Sequence, residues 1–175
     1  MKKNMFLMTF ISLAGLLATG SAYYFTRNNV LYSAAITFGT IFYHFAMRLA
    51  VGYIINTKFH NRMDYTKRWF REKNFEQALY KKLKVKKWKK LIPSFNPQDF
   101  RLDKHSAIEI IQVTCQSEIV HEIIMPLSFV PVIFSIWFGS TEVFLITSGI
   151  SFIFDSIFVI VQRYNRPRLI RLVKK

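Results

Sequence analysis

Residues 5–25 read MFLMTFISLAGLLATGSAYYF, 21 residues from Met5 to Phe25 without one charged side chain. A helix crosses a hydrocarbon core of about 30 Å with about 20 predominantly apolar residues, roughly 17 to 25 in practice. The stretch therefore reads as a membrane span. Lys2 and Lys3 ahead of it and the small residues Gly20, Ser21 and Ala22 at its end also suit a signal sequence. Its apolar run is longer than the roughly 7 to 15 residues of a signal core, which favours a retained span.

Working outward, the same pattern recurs. Val30 to Asn56 contains 27 residues with only Arg48 charged, and Val143 to Val161 contains 19 with only Asp155 charged. Ile123 to Phe138 is a shorter run of 16 residues that carries Pro126 and Pro131. It reads either as a kinked span or as a shallow hairpin, and four spans are preferred. The fold class expected is an all-α integral membrane protein. It has one membrane domain over 1–175, with spans near 5–25, 30–56, 123–138 and 143–161, an interfacial segment at 57–122 and a basic tail at 162–175.

Whole-chain totals agree. Of the 175 residues, 51% are hydrophobic, which excludes disorder, and a single cysteine, Cys115, excludes a disulfide framework. The formal net charge is +15. Fifteen of the 25 basic residues lie between Lys58 and Lys104, two precede the first span and six follow the last. The two remaining loops hold only Arg27. The positive-inside rule then puts both termini and the middle segment in the cytoplasm, in a multi-pass topology.

The middle segment mixes lysines with Trp69, Phe70, Phe75, Leu79, Tyr80, Leu83, Val85, Trp88 and Leu91. These apolar residues line one face of a broken helix lying among the headgroups, where the run Lys81 to Lys90 attracts anionic lipid. The alternative is a solvated basic loop. Nucleic acid is not an expected partner for a chain that is mostly bilayer. Pro93 and Pro97 close the segment.

Ser106 followed by Glu109 matches a capping box and starts a helix that runs on toward Pro126. Glu118, His121 and Glu122 fall three and four apart on it and can share a face. A carboxylate beside an imidazole suits a general base, and an interfacial polar turn is the plainer alternative. The Glu-x-x-His is half of a di-metal pattern without its second half, so no metal is assigned. Cys115, one turn earlier, reads as filler on an apolar face rather than as a thioester carrier.

Arg48 and Asp155 are charges inside spans, each eight residues, or about 12 Å, from a cytoplasmic marker. Intramembrane ions are costly and usually paired, so the two are expected to face each other, with His44 one turn from Arg48. In the tail, Gln162-Arg163-Tyr164-Asn165-Arg166-Pro167-Arg168 is the densest polar motif. Pro167 disfavours helix at Arg166, which predicts an extended exit with its guanidinium groups fanned out. Such groups suit phosphate.

Four blocks in order, Phe75-Glu76, Val85-Lys86-Lys87-Trp88-Lys89, Cys115 to His121, and Gln162 to Leu169, resemble the glycosyl-4,4'-diaponeurosporenoate acyltransferase family over roughly residues 57 to 172. These are small bacterial membrane enzymes that esterify a sugar hydroxyl of a glycosylated carotenoid in the staphyloxanthin pathway. The chain departs from the family pattern at Cys115, Gln116 and Glu122. The acyltransferase signature H-x-x-x-x-D is missing too, His60 to Asp64 being one residue short.

The resemblance implies acyl transfer in a bacterial cell membrane to a glycolipid or other lipid-linked acceptor, with acyl-CoA or acyl carrier protein as donor and no bound cofactor. It points to His121 as base, oriented by Glu118. Arg163, Arg166 and Arg168 would hold donor phosphates or an anionic group of the acceptor, and Tyr164 or Asn165 would serve the oxyanion. Arg48, His44 and Asp155 complete the expected set. A non-catalytic lipid-binding or immunity-type membrane protein, and a membrane hydrolase or metal-dependent lipid modifier, are the rival classes.

Overall fold

The computed structural model describes residues 2–173, and all their regular structure is helical. Seven α-helices follow one another: α1 (Lys2–Thr26), α2 (Asn29–Phe59), α3 (Glu76–Lys82), α4 (Val85–Trp88), α5 (Ala107–Leu127), α6 (Val130–Phe138) and α7 (Thr141–Val173). Four stretches are long and apolar enough to cross a membrane: Lys2–Thr26, Asn29–Phe59, Ala107–Phe138 and Thr141–Val173. The chain divides into two compact units, Met1–Val51 with Ile124–Ile153, and Gly52–Ile123 with Phe154–Lys175.

The first unit is built as a bilayer demands. Phe10, Leu17, Ile136, Trp137, Ile146 and Ile150 are exposed, whereas Ser12, Ser128, Ser148 and Ser151 are buried. With lipid as solvent, helices gain little by hiding apolar side chains from one another, and small or hydroxyl-bearing residues take the contacts instead. At Gly15, a Cβ would stand 2.6 Å from Cδ1 of Phe38, so the ring of α2 packs directly on the backbone of α1. Between these helices Arg27 takes a left-handed φ of 55°. Asn28 then caps α2, its Oδ1 accepting the Val30 N–H at 2.8 Å.

The capping box forms as expected. Ser106 N–H donates to Glu109 Oε2 at 2.8 Å, and Glu109 N–H donates to Ser106 Oγ at 3.3 Å. The helix it opens does not stop before the third apolar run. It passes through Pro126 and breaks only at Ser128 and Phe129, so the candidate crossing stretch is Ala107–Phe138 rather than 123–138. Pro131 sits in the first turn of α6, where its missing N–H costs nothing, and Gly139 ends that helix at φ 68°.

The extended exit expected at Pro167 is not found. α7 is helical for 33 residues, through Pro167 to Val173. Proline removes one N–H and crowds the residue before it. Here Arg163 and Arg166, on its N-terminal side, are both anchored to Glu118 of α5.

In the second unit, the middle segment is a series of short turns. Lys84, at a left-handed φ of 51°, separates α3 from α4. Its apolar residues do not share one face. Tyr80 and Val85 pack with Tyr164, and Phe70 packs with Met63 and Cys115. Trp69, Phe75, Leu83 and Leu91 remain exposed. The segment is fastened at its start by Gln116 of α5, whose Oε1 accepts Asn61 N–H at 2.8 Å while its Nε2 donates to Asn56 Oδ1 at 3.1 Å.

Candidate active site

Residues spaced three or four apart on a helix share a face, and two such faces build the site. α5 presents Thr114, Glu118, His121 and Glu122. α7 presents Asp155, Phe158, Arg163 and Arg166. The contacts between them divide into a dyad and an ion cluster, both within the second unit.

In the dyad, His121 Nδ1 lies 2.8 Å from Asp155 Oδ1. The Asp155 side chain is 0% exposed and that of His121 is 18% exposed, so the acid is enclosed while the imidazole is partly exposed. The ring stacks on Phe158, with centroids 4.5 Å apart and planes 11° from parallel. A carboxylate at Nδ1 fixes the tautomer that carries its proton there and leaves Nε2 as the basic atom. Phe158 fixes the plane in which Nε2 points.

The ion cluster is different in character. Glu118 accepts from Arg163 Nη1 with one carboxylate oxygen and from Arg166 Nη2 with the other. Arg163 also donates through Nε to Glu76 Oε1 at 2.8 Å and through Nη2 to the same oxygen. Its last two N–H groups reach the carbonyls of Trp69, at 3.2 Å, and Arg71, at 3.1 Å. A guanidinium has five N–H donors, and all five of Arg163 are engaged inside the protein. Arg166, 1% exposed, donates to Thr114 Oγ1, Thr114 O and Phe70 O besides Glu118, and lies 5.0 Å from the Phe70 ring centroid. Two buried carboxylates face two guanidiniums, so the cluster is neutral, as a low-dielectric interior requires.

This arrangement separates the expected trio. Glu118 belongs to the arginines, not to His121, whose partner is Asp155. Glu122 Oε2 accepts the indole N–H of Trp69 at 2.9 Å. For Glu118 and His121, charged partners from α7 are stronger than the one-turn contact available along α5. Cys115 is fully buried between Met63 and Phe70, with no access for an acyl group.

Tyr164 and Asn165 lie with Lys89. Lys89 Nζ donates to Asn165 Oδ1 at 2.6 Å and sits 4.9 Å from the Tyr164 ring centroid, and the exposed Arg168 lies 3.6 Å from that centroid. Burial, then the nearby Arg168 charge, lowers the Lys89 pKa. Burial also raises the pKa of Tyr80, aided by its hydrogen bond to Glu76 at 2.8 Å.

His44 and Arg48 belong to the first unit. Arg48 donates to His44 O at 2.9 Å and to Ser151 Oγ at 2.5 Å, and Ser151 Oγ lies 3.3 Å from His44 Nδ1. Asp155 belongs to the second unit with His121.

Sequence reasoning missed the His121–Asp155 pairing and the buried carboxylate of Glu76. Asp155 was conspicuous as a lone acid in an apolar run, but spacing along the chain does not bring it to His121. Glu76 stood out only through the Phe75-Glu76 block of the family resemblance, which says nothing of its burial.

Compared with known proteins, the chain matches the sequence model of the glycosyl-4,4'-diaponeurosporenoate acyltransferase (CrtO) family over residues 66–175. That range includes the dyad, the ion cluster and the Lys89 contacts. No curated protein and no solved structure matches.

Proposed function

The chain belongs to the glycosyl-4,4'-diaponeurosporenoate acyltransferase family, and from that premise we propose that it moves a fatty acyl group onto a hydroxyl of a glycolipid or other lipid-linked acceptor. The observation that carries the proposal is the His121–Asp155 contact of 2.8 Å, with the imidazole partly exposed beside a fully enclosed carboxylate. His121 Nε2 takes the proton of the acceptor hydroxyl as its oxygen attacks the carbonyl of a thioester donor, acyl-CoA or acyl carrier protein. The tetrahedral intermediate collapses, the C–S bond breaks, and the imidazolium returns the proton to the departing thiolate. Ester and free thiol result. Asp155 holds the imidazole in the working tautomer and stabilises the imidazolium.

Glu118, Glu76, Arg163 and Arg166 hold α5, α7 and the middle segment in place. Arg168, with Lys89 beside it, is left to steady an anionic group of donor, acceptor or lipid headgroup. Tyr164 and Asn165 position those two cations. His44 and Arg48, hydrogen-bonded to Ser151, serve the membrane part of the chain. The distribution of Lys and Arg supports a bacterial cell-membrane protein with both termini and the middle segment in the cytoplasm.

Lipid mass spectrometry of cells with and without the chain tests this reading. The expected result is a lipid heavier by one acyl chain that depends on His121 and disappears in His121→Ala at normal expression. Free fatty acid in place of the ester would assign a hydrolase. An unchanged phenotype in His121→Ala would assign a non-catalytic lipid-binding role.

A further inference from the structure

One cavity, formed by the turn from Arg68 to Lys73, has no part in the mechanism above. It has a volume of about 580 Å³ and is lined by Arg68, Trp69, Arg71, Glu72 and Lys73, within the roughly 300 to 1,000 Å³ usual for small-molecule sites. Three cations face one carboxylate there, and among the described residues none of the three forms an ion pair. Trp69 is 55% exposed, yet its ring is not loose. Its Nε1 is held by Glu122, and Lys73 Nζ lies 5.4 Å from the ring centroid.

The wall of this cavity is fixed from beneath. Arg163 donates to the carbonyls of both Trp69 and Arg71, so the turn carrying three of the lining residues is tied to the buried ion cluster. Glu122, which holds the indole, follows His121 directly on α5. The cavity is thus shaped before any ligand arrives and is attached to the helix that carries the base.

We infer that this cavity binds the phosphorylated nucleotide end of the acyl donor: Arg68, Arg71 and Lys73 take its phosphates, and Trp69 stacks on its base. The inference rests on the acyltransferase reading and makes it more specific, because a donor with a nucleotide handle is coenzyme-bound rather than carried on a protein. Clustered guanidinium and ammonium groups suit phosphate oxygens, a chemistry that a lipid headgroup shares. The exposed indole favours the nucleotide, since a headgroup has no planar base to stack and base–aromatic stacking contributes measurably to binding.

The test uses the full chain in phosphatidylcholine nanodiscs, titrated with 3′-phosphoadenosine 5′-phosphate and followed by tryptophan fluorescence and calorimetry. The expected result is saturable binding with indole quenching, weakened about tenfold or more in Arg71→Ala and in Trp69→Ala and unchanged in His121→Ala. Arg68→Lys, which keeps the charge, guards against a folding defect and should bind within a few-fold of the parent.

Three results would overturn the inference: binding unaffected by Arg71→Ala, inorganic pyrophosphate binding as well as the nucleotide, or displacement of the nucleotide by phosphatidylglycerol that itself quenches Trp69. An active chain that binds no nucleotide removes the cavity's role and leaves the acyl-transfer reading standing. Nucleotide binding without acyl transfer to any lipid does the reverse.

Discussion

Glu118 on α5 and Arg166 on α7 form an ion pair with side chains 0% and 1% exposed, and Arg163 completes it from the other side of the same carboxylate. A pair so enclosed is held by geometry, because two desolvated charges repay their cost only when every donor and acceptor is matched.

Removing the carboxylate therefore leaves two guanidinium groups inside the protein with reduced compensation. Glu118→Gln is expected to lose about 3 to 5 kcal/mol of stability, read by thermal or denaturant unfolding in detergent micelles. A variant as stable as the parent would mean that the arginines are held by their carbonyl contacts alone.

The dyad makes a separate, kinetic prediction. His121→Ala and Asp155→Asn should each lower kcat by roughly 10² to 10⁴ with little change in KM. The double variant should be no slower than the slower single one, since residues that act as a unit are not additive. Independent, multiplying losses in single-turnover acyl transfer would dissolve the dyad.

Gly15 and Gly20 offer a paired test of packing in the first unit. Gly15→Ala drives a Cβ into the Phe38 ring, at 2.6 Å from Cδ1, whereas nothing lies within 4 Å of a Cβ on Gly20. The first change should cost about 1 to 3 kcal/mol. The second should be neutral or slightly stabilising, because alanine favours helix over glycine. Equal effects in a melting assay would argue against the α1–α2 contact.

Pro167 lies within an unbroken helix, so Pro167→Ala should keep α7 intact, restore an N–H to its hydrogen-bond ladder and retain acyl transfer. Circular dichroism and the lipid assay check this together. Loss of activity with unchanged helix content would mean that the proline itself shapes the site.

Much of this molecule was legible in one dimension. The apolar run from Met5 to Phe25 and the capping box at Ser106 are local signals, and each emerged where expected. His121 meets Asp155, and Glu118 meets Arg163 and Arg166. Their assignment to roles was not legible. Glu118 and His121 are neighbours along α5 and invited pairing, but each found a stronger partner on α7.

The sequence alone determined that the chain is a helical membrane protein, because length, hydropathy and capping act over a turn or a span and need no partner. Tertiary structure alone decided that Asp155 meets His121, that Arg163 and Arg166 are inward fasteners, and that α7 continues through Pro167. Those outcomes depend on which side chains from distant segments compete for the same buried charge, and a buried ion accepts whichever arrangement leaves no donor or acceptor unmatched.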